Sequence, residues 1–170
     1  MTHFTIGEKI VYPNHGIGVV ENISSRAFGA QFERFYLLRL NYNSMTVMVP
    51  LSHAGDVGLR RVTKCGDLSR MLAFLSAGQC KSKVDWKDRY KENCDKMRNG
   101  SLLEVAEVLK GLLIIQTVKP LSFREKKMLD RSRHMLISEY STCRGISEDE
   151  SKQVLDRALA KASLSLPEPL

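Results

Sequence analysis

The chain has 170 residues, of which 43% are hydrophobic and 26% charged, and it carries a net charge of +7. These proportions describe a globular protein of one domain or two small ones and exclude a low-complexity chain. No apolar run approaches the ~20 residues of a spanning helix, and the first residues lack the basic and apolar regions of a secretion signal, so a cytoplasmic protein without membrane association is expected.

The first sixty-odd residues have the pattern of short strands. Residues 8–12 (EKIVY) run into a turn cluster at 13–16, and residues 17–23 resume an extended pattern. Residues 32–40 are aromatic and aliphatic, as strands prefer. A turn at 41–44 leads into an alternating stretch, 45–49, that stops at Pro50. After about residue 66 the period becomes helical. Asp67 could cap a first helix whose Leu68, Met71, Leu72 and Leu75 share a face, and residues 78–83 break it. Asp85 is positioned to start a second helix with Tyr90, Cys94 and Met97 as its inward stripe. Three S-x-x-E patterns, Ser101 with Glu104, Ser122 with Glu125 and Ser147 with Glu150, each precede an apolar-periodic run. Such a serine accepts from an unpaired first-turn amide, which marks three more helix starts. The run 102–118 is apolar round most of its circumference and should be the central helix. The last helix, about 148–163, should bury Val154, Leu155, Ala158 and Leu159.

The expected fold class is therefore α+β. A small antiparallel β-barrel of SH3 or Tudor size spans 1–64, a compact all-α domain spans 65–164, and a proline-containing tail, 165–170, frays.

Little in the chain suggests catalysis. Phosphate-binding glycine loops, the zinc-protease H-E-x-x-H and the G-x-S-x-G nucleophile motif are absent. Cys65, Cys80, Cys94 and Cys143 lack C-x-x-C spacing, and His3, His15, His53 and His134 are scattered. No metal, no cofactor and no enzymatic activity is expected.

What remains is surface. The basic excess points to a polyanionic partner, yet it is spread evenly, +3 over residues 1–66 and +4 over 67–170. The strand Thr46, Val47, Met48, Val49, Pro50 suits a sheet edge open to a partner strand, because proline cannot donate to a ladder, though pattern alone favours a plain closing strand of the barrel. Trp86, the single tryptophan, stands at a helix start beside Lys87, Arg89 and Lys91. Residues 119–133 hold six basic and two acidic side chains. By spacing alone, Trp86 is as compatible with the rim of a core as with an apolar wedge that inserts into nucleic acid beside phosphate-holding cations.

The segments GEKIVYPNHGIGVVENI (7–23), MTVMVPL (45–51), VGLR (57–60), WKDRYKENCDKMRNGSLLEVAEVLKGL (86–112) and LSFREKKMLDRSRHML (121–136) together resemble the CarD/CdnL family of bacterial transcription regulators. The similarity runs in order from about residue 4 to 163. The resemblance implies a Tudor-like domain that binds the β subunit of RNA polymerase and a helical domain that contacts promoter DNA largely without sequence preference. The protein would then stabilise the open promoter complex as a monomer, associated with the nucleoid through polymerase. Trp86 matches the family's minor-groove wedge at the upstream edge of the bubble. Arg89, Lys91, Lys87 and Lys126 match or flank its basic partners. Arg26, in the loop after the second strand, and Thr46 to Pro50 match the polymerase-facing positions, although Met48 stands where some members carry a basic residue. The competing expectation is a docking module, resembling the interaction domain of transcription-repair coupling factors, whose helical domain never touches DNA.

Overall fold

A computed structural model describes residues 3–80 and 85–170, which form two compact units, Met1–Val62 and Thr63–Leu170. The expected helix break at 78–83 lies partly outside these residues.

The first unit is an antiparallel sheet of β1 (Lys9–Tyr12), β2 (Gly16–Phe28), β3 (Gln31–Leu40), β4 (Thr46–Pro50) and β5 (Arg60–Arg61), in the order β4-β3-β2-β1-β5. Alternation along the strands sends Ile10, Val20, Tyr36, Leu38 and Val49 inward, where they pack with Phe4, Ala54 and Leu59. The buried Tyr36 hydroxyl accepts from the Phe4 amide at 3.1 Å, which offsets part of its desolvation. Register shifts between Val20 and Asn22, and such a bulge sharpens the bend of the sheet. Gly18 lies so close to β3 that a Cβ would meet the Arg39 carbonyl oxygen at 3.0 Å. The helical turn α1 (Ala54–Val57) closes on Gly58 at φ +84°, a conformation that favours glycine.

β2 continues five residues beyond the expected strand. Gly29 takes φ +63° and turns the chain tightly, so the ladder persists to Phe28 opposite Gln31. Arg26 therefore lies within β2, opposite Glu33, and not in a loop after it.

The second unit contains α2 (Cys65–Ala77), α3 (Trp86–Asn99), α4 (Leu102–Val118), α5 (Phe123–Arg144) and α6 (Glu148–Ala160). The side chains of Asp85, Ser101, Ser122 and Ser147 each cap a helix by accepting a first-turn amide. α2 begins earlier than expected. Lys64 is its N-cap without a side-chain bond, and Asp67 lies in the first turn, where a carboxylate suits the positive end of the helix. α4 packs against α2, α3 and α5, burying Leu102, Val105, Val108, Leu109 and Leu112. Its one buried cation, Lys110, donates to the carbonyls of Phe74 at 2.8 Å, which also accepts the Gly78 amide, and of Gly78 at 2.7 Å, where α2 has ended.

Ser163 adopts φ +61° and reverses the chain, after which Leu164 and Leu166 pack on the helical core. The Leu166 amide also donates to Asp156 at 2.7 Å. Among the described residues, no helix is long and apolar enough to cross a membrane.

Candidate functional site

Two surfaces carry the residues singled out from the sequence, one on each unit. On the first unit, β4 pairs, among the described residues, with β3 alone and leaves its other side open. The Leu40 amide donates to the Met45 carbonyl, which sets the alternation of the ladder. Val47 and Val49 then direct their backbone groups toward β3, whereas Thr46, Met48 and Pro50 direct theirs to the open edge. Pro50 thus falls where its missing N–H removes no ladder bond. Thr46 is exposed and Met48 half-buried, while the side chain of Val49 is buried in the core. Arg26 is exposed toward the far end of β2. The unit also presents Phe32, 81% exposed, near the tip of the β2–β3 hairpin.

On the second unit, Trp86 is the first residue of α3 and is 50% exposed. Asp85 accepts from the Lys87 amide at 3.0 Å and fixes the turn that presents the indole. The Lys87 ammonium stands 6.0 Å from the ring centroid, and Lys91 is exposed one turn on. Tyr90, Cys94 and Met97 face the helical core as the periodicity implies, with Met97 fully buried and the other two partly so. Burial raises the pKa of the Tyr90 phenol, and nearby Cys94 acts in the same direction; Arg124 and Arg131 of α5 pull against them.

Arg89 does not stand beside Trp86 as a free cation. It is 6% exposed, and its guanidinium donates to both carboxylate oxygens of Glu125, at 3.1 to 3.3 Å, in a two-pronged ion pair. Glu125 is itself buried on the first turn of α5. In a complete capping box the third-residue glutamate reaches back to the cap amide, as Glu150 does to Ser147. Glu125 turns its carboxylate to Arg89 instead. With Nε and one terminal nitrogen held by Glu125 in a buried site, the guanidinium reaches a phosphate only by giving up that pair, which sets Arg89 apart from the exposed Lys87 and Lys91.

The ion pair joins the first turns of α3 and α5. On α5, Lys126 is exposed as expected, together with Arg124 and Lys127. Phe123, the first residue of α5, is 67% exposed, and the Lys127 ammonium lies 4.7 Å from its ring centroid. The sequence reading passed over Phe123, though a helical wheel through Met128, Leu129, Ser132 and Leu136 points it away from the core. Glu125 had no sequence signal as a partner, because nothing local connects positions 36 residues apart.

All four cysteines are free thiols, with the Cys65 and Cys143 sulfurs 4.0 Å apart. Among the described residues, no group of histidine, cysteine or carboxylate side chains could hold a metal ion.

Comparison with known proteins adds the following. Residues 4–63 match the CarD-like/TRCF RID domain, and residues 70–156 match the CarD C-terminal domain. The chain is 38% identical over 149 residues to the Bacillus subtilis (strain 168) protein named "Putative transcription factor YdeB", covering 88% of this chain and 97% of that one. Among solved structures it is similar to CdnLNt from Myxococcus xanthus, 40% identical over 36% of this chain and 87% of the other, with a TM-score of 0.31.

Proposed function

The chain belongs to the CarD/CdnL family of bacterial transcription regulators, and we propose that it binds the β subunit of RNA polymerase and stabilises the open promoter complex through promoter DNA. In this reading the open edge of β4 accepts a polymerase strand, with Arg26 as a further contact. Backbone pairing at Thr46 and Met48 supplies affinity, and their side chains supply selectivity. Docking raises the effective concentration of the helical unit at the promoter. Trp86 then wedges into the minor groove at the upstream edge of the bubble, while Lys87, Lys91 and Lys126 hold phosphates. Arg89 acts at one remove, as the strut that holds the two helix starts together. Because the wedge has its site only on opened DNA, its binding shifts the equilibrium toward the open complex. No catalytic step is required.

The observation that carries this reading is the half-exposed indole, which a helix cap holds at a surface turn with Lys87 near its ring and Lys91 exposed one turn on. In the full chain bound to polymerase, Trp86→Ala should leave polymerase binding intact and shorten open-complex lifetime about five- to hundredfold, the ~1–3 kcal/mol of one base–aromatic contact. An unchanged lifetime with a folded variant excludes the wedge.

The docking-module reading draws support from the charge beside Trp86. Asp85 and Asp88 are exposed there, and Arg89 is withdrawn. The two readings diverge in salt. A DNA-contacting helical unit makes promoter retention by the complex fall more steeply with ionic strength than retention by polymerase alone, and a pure docking module leaves the slope unchanged.

A further inference from the structure

Phe123 combines features that an ordinary surface residue does not need. Its ring is two-thirds exposed at the first turn of a long, well-capped helix, and its neighbours on that turn are Arg124, Lys126 and Lys127, all exposed. The cap is built by Ser122, which accepts the Glu125 amide, so the position of the ring follows from the same turn that holds Glu125 in place. Glu125 in turn is clamped to Arg89, three residues after Trp86. Two helix starts, each opening on an exposed aromatic with a lysine ammonium near its ring, are thereby tied together by one buried ion pair.

We propose that Phe123 is a second apolar contact to opened promoter DNA, acting beside Trp86 on one composite face of the helical unit. The inference rests on the reading of the Trp86 face as DNA-binding. Charge complementarity selects the occupant. The two turns expose Lys87, Lys91, Arg124, Lys126 and Lys127 against Asp85 and Asp88, and each helix start adds its own partial positive charge. An apolar protein partner would leave those cations desolvated, whereas a nucleic-acid strand offers phosphates to them and base faces to the rings. The Arg89–Glu125 pair brings the two helix starts together, so a single opened segment is the occupant that can meet both rings.

The experiment places p-benzoylphenylalanine, a photoreactive derivative of phenylalanine, at position 123 or at position 86 of the full chain. Each variant is assembled with RNA polymerase on a promoter fragment and irradiated. Both positions are expected to crosslink to DNA, at nucleotides within one helical turn of each other. Phe123→Ala should shorten open-complex lifetime about three- to thirtyfold, Phe123→Trp should retain it, and the urea midpoint should not move, because the ring is outside the core. DNA crosslinks from position 86 with none from position 123 overturn the proposal and leave the Trp86 reading standing. Crosslinks from position 123 to a polymerase polypeptide or a second copy of the chain also overturn it. No DNA crosslink from either position overturns the reading of the whole face.

Discussion

At the scale of single residues, Arg89 best separates proximity in sequence from role in structure. It lies between Lys87 and Lys91 on a basic helix start, yet its guanidinium is spent on Glu125. Removing one partner of a buried pair leaves the other charge without compensation and costs about 3–5 kcal/mol. Arg89→Ala should therefore lower the stability of the helical unit by that amount in urea unfolding, and Glu125→Ala should do the same. The double replacement Arg89→Met with Glu125→Leu should recover most of the loss, as exchange of a buried pair for apolar groups commonly does. A shift below about 0.5 kcal/mol for the single variants would return Arg89 to the surface set. That Trp86 opens a helix was readable from Asp85, because a helix start and its cap are local, whereas the exposure of its ring was not. Nor was the pairing of Arg89, since its environment is set by a helix 36 residues away.

At the scale of elements, the two sheet faces and the helix ends follow different rules. Pro50 made β4 a candidate edge beside the plainer reading of a closing strand, and the direction of each backbone group follows from one hydrogen bond at its start. Proline substitution can test this directly. Val47→Pro removes an amide from the β3–β4 ladder and should destabilise the first unit by about 3 kcal/mol. Met48→Pro removes an amide that faces outward, so the fold should survive in thermal unfolding while polymerase binding through strand addition is lost. Equal destabilisation by the two variants would contradict the register. The helix starts were readable because a capping serine and its amide are three residues apart. The end of α2 was readable at Gly78, but the cation that bonds its last carbonyls was not, because it comes from the middle of α4. In a run that reads as apolar throughout, Lys110 looks like an interruption, yet it donates to two carbonyls of a neighbouring helix. Lys110→Met keeps the stem and removes the donors, and a loss of about 2–4 kcal/mol in urea unfolding is expected.

For each unit as a whole, stability depends on solution conditions through groups that periodicity cannot rank. His134 on α5 is half-buried, and that burial holds its pKa below the usual histidine value; Glu148 and Asp130 oppose the shift and Arg133 adds to it. The unfolded chain then binds the proton first, so this contribution is complete above about pH 6.5 and declines as pH falls through that value. Chemical denaturation between pH 7.5 and 5.5 should show the helical unit weakening on acidification, with a shallower slope for His134→Gln. An identical slope in the variant would assign the effect elsewhere.

The junction at Thr63 has a practical consequence for dissecting the protein. The Thr63 amide donates to the buried carboxylate of Glu139 at 2.9 Å, and its carbonyl accepts from the Cys143 thiol. Composition alone suggests cutting near residue 65, where helical periodicity begins. A fragment that starts there strips Glu139 of a donor contributed by the backbone, a loss that no choice of side chain can repair. A fragment that starts at Thr63 or earlier keeps it. The shorter piece should melt several degrees below the longer one, and its weakness would report the place of the cut and not any dependence on the sheet unit.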